Sequence, residues 1–482
     1  MRKKLLGLEK KAKSLEPSAT LRASLREKVL KYTEEFLEQV NDLEASPTFY
    51  EGADGASLES YPISEGPIKM DEIVKVVAEN VDQSGINPAS GGHLGYIPGG
   101  GIYTSSLGDY WADVTNRYAG VYFASPGGVR MENQLIKWMC QLMGYPAEAA
   151  GNLTSGGSIA NLTAIVTARD AHKIKAKDVN KQVIYLSEQT HHCIDKAIHI
   201  AGLSECKQRI IHVDGRYRMD SGHLSKTMET DRAEGLKPFL VVTSAGTTDT
   251  GAVDPLEEIA EIAEENKAWL HVDAAYGGFF MLTEHGQQMF KGIERSDSVV
   301  MDPHKGMFLP YGIGVVLVRD GGLMKNAFTY FANYMQDTVA KQDEISPAEV
   351  SPELTKHFRG LRFWLPLKLH GLAPFKAALE EKLLLARYAH KQLSLLPDFE
   401  VGPEPDLSVV IFRYLPEEAD TNAFNEALVN EIHKDGRIFI SSTLIQGQFM
   451  LRLAVLSFRT HLSTIDLTLK ILQEKVTQLL KK

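Results

Sequence analysis

Residues 269–278 read Trp-Leu-His-Val-Asp-Ala-Ala-Tyr-Gly-Gly, from Trp269 to Gly278. The run at 268–272 does not alternate apolar with polar residues, which is typical of a strand buried on both faces. Asp273 falls at the predicted end of that strand, and the small residues after it let a flat ligand approach the backbone. An aspartate in this place suits a ribose, a metal or a protonated ring nitrogen, or it caps the next loop.

Similar short runs rich in Val and Ile lie on both sides of this stretch. They occupy residues 183–186, 239–242, 298–301 and 315–318. Helical patterns separate several of them, and Asp254-Pro255-Leu256-Glu257 predicts an Asp N-cap with Pro at N1, opening a helix to about Asn266. Strands alternating with helices predict an α/β fold with a mainly parallel central sheet, in which ligands bind at the carboxyl ends of the strands.

The two ends of the chain predict smaller, separate units. From Ser18 apolar residues recur at helical spacing, and turn formers at 46–68 indicate a linker. Residues 407–414 and 449–455 predict strands of a small C-terminal α+β domain. We therefore expect an N-terminal helical and dimerisation segment (1–88), a large ligand-binding α/β domain (89–372) and a small α+β domain (373–482).

Composition excludes several classes of function. The 482 residues carry 52 Lys and Arg against 62 Asp and Glu, a net charge of −10, which disfavours nucleic acid as the main partner. The three cysteines form no C-x-x-C pair, which argues against disulfides and structural zinc and for a reducing, cytoplasmic location. The sequence contains no run of about eighteen apolar residues, so we expect no membrane-spanning helix.

Three further segments carry chemical groups. Gly156-Gly157-Ser158 opens a predicted helix and suits a phosphate, although such an entry is often only a tight turn. His191-His192 suggests polar histidines or a metal pair, and no matching ligand cluster supports the metal. Lys305, between a strand end and a glycine, is placed for Schiff-base chemistry, whereas most lysines are solvated surface charges. Together with Asp273 these segments fit pyridoxal phosphate.

The order of these motifs resembles the pyridoxal-phosphate-dependent group II amino acid decarboxylases over roughly residues 70–460. The resemblance rests on Ser155-Gly156-Gly157-Ser158-Ile159-Ala160-Asn161-Leu162, His191-x-x-x-x-Lys196-Ala197, Gly246-Thr247-Thr248-x-x-Gly251-x-x-Asp254-Pro255, His271-Val272-Asp273-Ala274-Ala275-Tyr276-Gly277-Gly278 and Asp302-Pro303-His304-Lys305. It implies fold type I, like aspartate aminotransferase, in a homodimer with the active site at the interface. It also implies decarboxylation of an L-amino acid to the amine and CO₂ through a Schiff base on Lys305.

The resemblance also implies roles for individual residues. Lys305, His191 and Asp273 are the expected catalytic residues: the Schiff-base lysine, the imidazole stacked on the ring, and the partner of the ring nitrogen. The expected cofactor-binding residues are Gly157, Ser158, His191, Thr248, Asp273, Ala275, Asp302, His304 and Lys305. The expected substrate-binding residues are His93, Tyr96 and Arg452, with a salt bridge between domains as the alternative for Arg452. No metal site is expected.

One departure from the family keeps other reactions open. Family members carry a loop Tyr, thought to protonate the substrate carbon, at a fixed distance before the element that reads here Phe358-Arg359-Gly360-Leu361-Arg362-Phe363-Trp364. Counting back reaches Ile345-Ser346-Pro347, and the nearest substitutes are Tyr330, Tyr334 and His357. Oxidative deamination to an aldehyde, carbon–carbon lyase chemistry and, remotely, an inactive binding scaffold therefore remain alternatives. Acidic and aromatic substrates both remain open, and the lack of a second well-placed basic residue favours an aromatic one.

Overall fold

The computed structural model describes residues 1–46, 55–329 and 344–481. Most of the predicted linker at 46–68 lies within this part of the chain, but residues 47–54 do not. Tyr330 and Tyr334, two of the substitutes for the loop tyrosine, also lie outside the described residues.

A seven-stranded sheet forms the centre of the large domain, in the order β2-β8-β7-β6-β5-β3-β4. Strand β8 runs antiparallel to both neighbours, and the remaining neighbours from β7 to β4 pair in parallel, so the predicted mainly parallel sheet is confirmed. The strands of the described residues are β1 (His93–Leu94), β2 (Ala150–Thr154), β3 (Gln182–Ser187), β4 (Lys207–Ile211), β5 (Lys237–Ser244), β6 (Trp269–Asp273), β7 (Ser298–Met301), β8 (Gly314–Val318), β9 (Phe399–Val401), β10 (Val409–Tyr414), β11 (Phe439–Ile445) and β12 (Gln448–Ala454).

Helices cover both faces of this sheet and form the N-terminal arm. Within the described part of the chain they are α1 (Arg2–Ala12), α2 (Ala19–Gln39), α3 (Met70–Val77), α4 (Tyr103–Thr115), α5 (Pro126–Leu142), α6 (Gly157–Ala171), α7 (Cys193–Ile200), α8 (Ser221–Ala233), α9 (Leu256–Glu265), α10 (Glu284–Met289), α11 (Pro303–Gly306), α12 (Gly321–Phe328), α13 (Gly360–His370), α14 (Ala373–Ser394), α15 (Thr421–Asp435) and α16 (Leu462–Leu479). None of these helices combines the length and apolar character needed to cross a bilayer.

The helix predicted from Ser18 begins as its sequence suggests, since the Ser18 hydroxyl accepts a hydrogen bond from the Leu21 amide at 3.2 Å. Neither α1 nor α2 buries any residue against the rest of the chain. Several of their apolar side chains, Leu5, Leu6 and Leu30 among them, are therefore exposed.

The predicted capping role of Asp254 is wrong. Helix α9 begins at Leu256 after Pro255, and no side chain caps it. The Asp254 carboxylate instead accepts hydrogen bonds from the backbone amides of Met219 and Ser244, both at 2.7 Å. The carboxylate is buried between the two segments that donate to it. This burial raises the pKa of Asp254 to about 6. It thereby fixes the loop that follows β5.

A second, five-stranded sheet forms the small domain, in the order β1-β11-β12-β10-β9. The runs predicted at 407–414 and 449–455 correspond to β10 and β12. Strand β1, which the predicted boundaries place inside the large domain (89–372), pairs in parallel with β11 and is an edge of this sheet. The limits of the three domains otherwise stay predictions.

The glycines between residues 91 and 101 let this edge pass close to other backbones. A Cβ on Gly92 would lie 2.5 Å from the Arg437 carbonyl oxygen, and one on Gly99 would lie 2.0 Å from that of His304. Any side chain there would force the backbones apart. The segment therefore joins the small domain to the turn that carries Lys305.

Candidate active site

A cavity of about 360 Å³ opens at the carboxyl ends of the parallel strands. The loops after β3, β5, β6 and β7 meet there with the beginning of α6, as expected for a sheet of this type. All of the predicted cofactor-binding residues line the cavity: Gly157, Ser158, His191, Thr248, Asp273, Ala275, Asp302, His304 and Lys305. The sequence motifs, spread over about 150 residues, therefore converge on one site.

One wall of the cavity is the amino-terminal end of α6. The helix starts at Gly157, and no side chain caps its first turn, so backbone N–H groups and the positive end of the helix dipole face the cavity. A Cβ on Gly157 would lie 2.8 Å from a carboxylate oxygen of Asp302. Only glycine allows the helix to begin so close to that side chain, and the resulting opening has the shape and charge of a phosphate cradle.

The amine of Lys305 lies next to this cradle. Its Nζ is 3.2 Å from Oδ2 of Asp302, which is also 3.8 Å from Nε2 of His304. The other Asp302 oxygen is buried and has no hydrogen-bond partner among the described residues. The His304 Nδ1 donates to the Ile313 carbonyl at 2.6 Å, and burial lowers the pKa of this imidazole. The turn thus holds a lysine amine at a buried strand end.

Asp273 lines the cavity at the end of β6, beside Asn161 of α6. Its Oδ1 accepts a hydrogen bond from the Ala275 amide at 3.1 Å, and its Oδ2 accepts one from Nδ2 of Asn161 at 3.2 Å. These two donors fix the carboxylate where β6 ends. A fixed carboxylate facing a cavity is a partner for a protonated ring nitrogen.

The imidazole of His191 lines the cavity from the loop after β3. Its Nδ1 accepts a hydrogen bond from the Cys193 amide at 3.2 Å, so a neutral ring carries its proton on Nε2. Burial lowers the pKa of His191, which favours that neutral form. Ala275 lines the same cavity and offers only a methyl group, which leaves room for a flat ring beside it.

The predicted substrate residues His93, Tyr96 and Arg452 are described, but none of them is among the described residues that line the cavity. His93 is buried with its ring stacked on Phe439 at 5.0 Å, and burial lowers its pKa to about 4. The Tyr96 side chain is 58% exposed and close to the same phenylalanine. Their substrate-binding role stays a prediction.

Arg452 is almost fully buried and has no acidic partner within salt-bridge distance among the described residues. Its guanidinium donates to the backbone carbonyls of Thr248 and of Asp249 and to the Ser441 hydroxyl at 2.7 Å. The salt bridge considered as an alternative is therefore not formed. The arginine instead anchors the loop after β5, which forms part of the cavity wall.

Some residues that line the cavity received no individual role from the sequence. They include Asn161, Gln189, Cys193, Ser244, Thr247 and Tyr276. Asn161 follows Gly157 by about one helical turn and interrupts the apolar residues Ile159, Ala160 and Leu162, which is a usable signal. The Tyr276 hydroxyl lies 2.6 Å from that of Ser408 in the small domain, a contact between distant segments that no local pattern indicates.

The segment reached by counting back to the loop tyrosine, residues 345–347, packs against α5 and the residues before it. The Ser346 hydroxyl accepts from the Tyr122 amide at 3.0 Å, and Asn133 donates to the Ile345 carbonyl at 3.0 Å. His357 lies 3.1 Å from Asp109 on α4 and is not among the residues that line the cavity. Neither segment is among the described residues that line this cavity.

A lysine amine, a carboxylate for a ring nitrogen and a phosphate cradle are the groups that bind pyridoxal phosphate, and their arrangement here fits that cofactor. The fold and site thus define a fold type I pyridoxal phosphate enzyme. Residues 63–415 match the pyridoxal-dependent decarboxylase conserved domain, and the chain belongs to that family. It is accordingly a pyridoxal-phosphate-dependent carboxy-lyase of amino acids.

Individual relatives match nearly the whole chain. An aromatic-L-amino-acid decarboxylase of Bacillus atrophaeus is 34% identical over 446 residues, covering 87% of this chain and 92% of that protein. A phenylacetaldehyde synthase of Petunia hybrida is 26% identical, covering 88% of this chain and 87% of that protein. The crystal structure of Oryza sativa TDC with PLP and tryptamine superposes with a TM-score of 0.89 at 24% identity, covering 96% and 99% of the two chains.

Proposed function

We propose that this enzyme decarboxylates an aromatic L-amino acid to the corresponding amine. The observation that carries this proposal is the cavity that combines Lys305, Asp273 and the beginning of α6 in a chain 34% identical to an aromatic-L-amino-acid decarboxylase. Within the cavity wall the cationic groups that remain for a substrate are few, since Lys305 serves the cofactor. A neutral aromatic side chain needs no further cation, which an acidic one would.

Each group of the site has a defined task in this proposal. The bound cofactor supplies an electron-poor ring that accepts the electron pair left when CO₂ departs. The beginning of α6 and Ser158 would hold its phosphate, Lys305 would supply the amine for its covalent attachment, and Asp273 would keep a proton on its ring nitrogen. His191 and Ala275 would contact the ring. Holding the substrate's carboxylate perpendicular to the ring directs the reaction to that bond.

The reaction is tested with a panel of carboxyl-labelled L-amino acids incubated with the cofactor-loaded enzyme. We expect CO₂ release from aromatic amino acids at least about tenfold faster than from glutamate or cysteine sulfinate, a ratio set by pocket contacts. Mass spectrometry should identify the non-volatile product as the amine, with no consumption of O₂. Preferential release from glutamate would contradict the aromatic assignment.

A second candidate function is decarboxylation coupled to oxidative deamination, which gives an aldehyde. It is supported by Ile345–Pro347, where the loop tyrosine is expected from the motif spacing, and by similarity to a phenylacetaldehyde synthase. Without a proton donor at that place, the carbon that loses CO₂ would be open to oxidation by O₂, which takes up two electrons and becomes hydrogen peroxide. Formation of aldehyde, ammonia and hydrogen peroxide, with consumption of O₂, would replace the amine assignment by this one.

We also propose that two copies of the chain form a homodimer with the active site at the interface. Helix α4 presents an apolar face that the described residues leave largely open to solvent: Tyr103, Leu107, Tyr110, Trp111 and Val114, each 41–66% exposed. An exposed stripe of this size on one helix is typical of a protein–protein interface. The uncovered apolar residues of α1 and α2 support the same assembly.

The dimer is tested by placing a charge in that stripe. Trp111→Glu should shift the protein from dimer to monomer in light scattering, because burying an unpaired carboxylate in the interface is costly. Leu444→Glu is the control, since Leu444 is equally exposed but lies in the small-domain sheet far from α4 in sequence. A wild-type chain that is monomeric at micromolar concentration would contradict the proposal.

A cytoplasmic location completes the proposal. The three cysteines are buried and unpaired. Burial raises the pKa of Cys140 to about 12 and that of Cys206 to about 11, so these thiols stay protonated and inert. Unpaired thiols of this kind are typical of a reducing compartment.

A further inference from the structure

Behind the cavity a line of polar side chains crosses the otherwise apolar sheet. The Trp269 indole Nε1 donates to the Ser298 hydroxyl at 2.8 Å, and that hydroxyl lies 2.8 Å from Nδ1 of His271. The His271 Nε2 lies 2.7 Å from Oδ1 of Asn161, whose Nδ2 donates to Oδ2 of Asp273 at 3.2 Å. We call these five residues the Trp–Asp relay.

The first four members of the Trp–Asp relay are at most 4% exposed, so their hydrogen bonds do not compete with water. Ser298 and His271 are neighbours in register on adjacent parallel strands, and Asn161 approaches from α6. Buried polar groups are retained in a core only when they are satisfied, and here each polar atom of the line has a partner. The line ends on the carboxylate at the cavity.

The two ends of the relay fix the direction of every hydrogen bond in it. An indole N–H can only donate, so Ser298 accepts from Trp269 and has its single hydrogen left for Nδ1 of His271. A neutral His271 that accepts at Nδ1 carries its proton on Nε2 and donates to Asn161. The Asn161 amide group then faces Asp273, which as a carboxylate can only accept.

The opposite direction fails at Asp273. Rotating the Asn161 amide would bring its carbonyl oxygen to about the same separation from a carboxylate oxygen, an arrangement with no hydrogen between them. The same rotation would remove the hydrogen bond that Nδ2 also gives to the Cys193 sulfur at 3.3 Å. Burial lowers the pKa of His271 to about 4, so the ring is neutral near pH 7, as the relay requires.

We infer that His271, acting through Asn161, is a positioning residue that holds Asp273 ionised and oriented toward the ring nitrogen of the cofactor. The Asn161 N–H that donates to Oδ2 of Asp273 stabilises the ionised carboxylate and makes it a weaker base. The proton shared between that carboxylate and the ring nitrogen therefore stays on the ring. The inference rests on the proposed role of Asp273, and it assigns a task to His271, which is not among the described residues that line the cavity.

The first test measures the His271 tautomer in the wild-type protein. Two-bond ¹H–¹⁵N correlation spectra of protein labelled in its histidines, with His271→Gln for assignment, should show a neutral ring protonated on Nε2. We expect this state without cofactor as well as with it, and unchanged from about pH 6 to 8. A ring protonated on Nδ1, a mixture of tautomers or a charged ring would overturn the relay. This result does not depend on which reaction the enzyme catalyses.

The second test follows the ring nitrogen itself. In enzyme loaded with pyridine-¹⁵N-labelled cofactor, Asn161→Leu should move the ¹⁵N resonance toward the unprotonated value. It should lower kcat by about 10- to 100-fold, as expected for loss of a hydrogen bond to a charged group, with little change in KM. Ser298→Ala should shift the same resonance less. It removes the hydrogen bond to Nδ1 of His271, which is further from Asp273 than the Asn161 amide.

Thr163→Val is the matched control for Asn161→Leu. Thr163 is equally buried on α6, but its hydroxyl donates to the carbonyl of Ile159 in its own helix. We expect this variant to keep the wild-type ¹⁵N resonance and kcat. An Asn161→Leu enzyme that binds cofactor with an unchanged ¹⁵N resonance would overturn the inference, whereas loss of the aromatic substrate preference alone would count only against the proposed function.

Discussion

Lys305→Ala is expected to abolish the covalent attachment of the cofactor and to lower turnover by roughly 10³-fold or more, the range lost when a covalent or proton-transferring group is removed. The cradle at α6 and the carboxylate of Asp273 do not depend on this amine, so the cofactor should still bind. The visible absorption of the covalent link should disappear from the purified protein. Borohydride, which fixes such a link irreversibly, should leave no cofactor on the denatured chain.

The variant is expected to fold, because Lys305 is only partly buried and its one ion pair among the described residues is with Asp302. Lys207→Ala is the control: Lys207 is an exposed lysine at the edge of the same sheet, and its loss should change neither the absorption nor the turnover. An unchanged visible spectrum in Lys305→Ala would show that another amine holds the cofactor. The assignment of this turn as the covalent site would then be wrong.

The strands that the sequence predicts well are those buried on both faces. Strands β3, β5, β6, β7 and β8 are nearly continuous apolar runs. Such runs are typical of strands in the interior of a sheet that is covered on both faces. The two outer strands escaped prediction. Strand β4 at one edge exposes Lys207 and Gln208, and β2 at the other contains Gly151 and Asn152, so neither shows the apolar signal.

Local sequence patterns do not predict the role of a side chain that hydrogen-bonds to a segment distant in sequence. Asp254 matches the pattern of a helix cap, yet the amides of Met219 and Ser244 bind both of its oxygens, and no local pattern indicates that contact. For Arg452 the salt bridge considered as an alternative is not formed among the described residues, because its guanidinium donates to the loop after β5; its substrate-binding role stays a prediction. The cofactor-binding motifs were predictable because their spacing relative to strand ends carries the chemistry.

The Trp–Asp relay shows a different limit. His271 lies within the motif that predicted Asp273, but side chains alternate along a strand, and nothing local says that the His271 ring meets α6. Its partners Ser298 and Asn161 come from elements 27 and 110 residues away in sequence. Such a network needs the packed sheet before any of its members can be assigned.

Asp273→Asn is the second variant with a large expected effect. An asparagine keeps the size of the side chain and can still accept from the Ala275 amide, so the protein should fold and bind cofactor. It removes the negative charge, however, and an adjacent charge shifts a pKa by about one to three units. The ring nitrogen should lose its proton near pH 7, and turnover should fall roughly 100-fold or more, as when a charge-stabilising group is removed.

The size of this effect should distinguish the role of Asp273 from that of Asn161. Because the carboxylate acts on the ring directly and Asn161 acts only through it, Asp273→Asn should shift the ¹⁵N resonance of the ring nitrogen further than Asn161→Leu. Combining the two substitutions should add little to the single Asp273→Asn effect, since the relay has then lost the carboxylate on which it acts. Near-normal turnover in Asp273→Asn, with cofactor bound, would mean that the ring nitrogen lies elsewhere in the cavity.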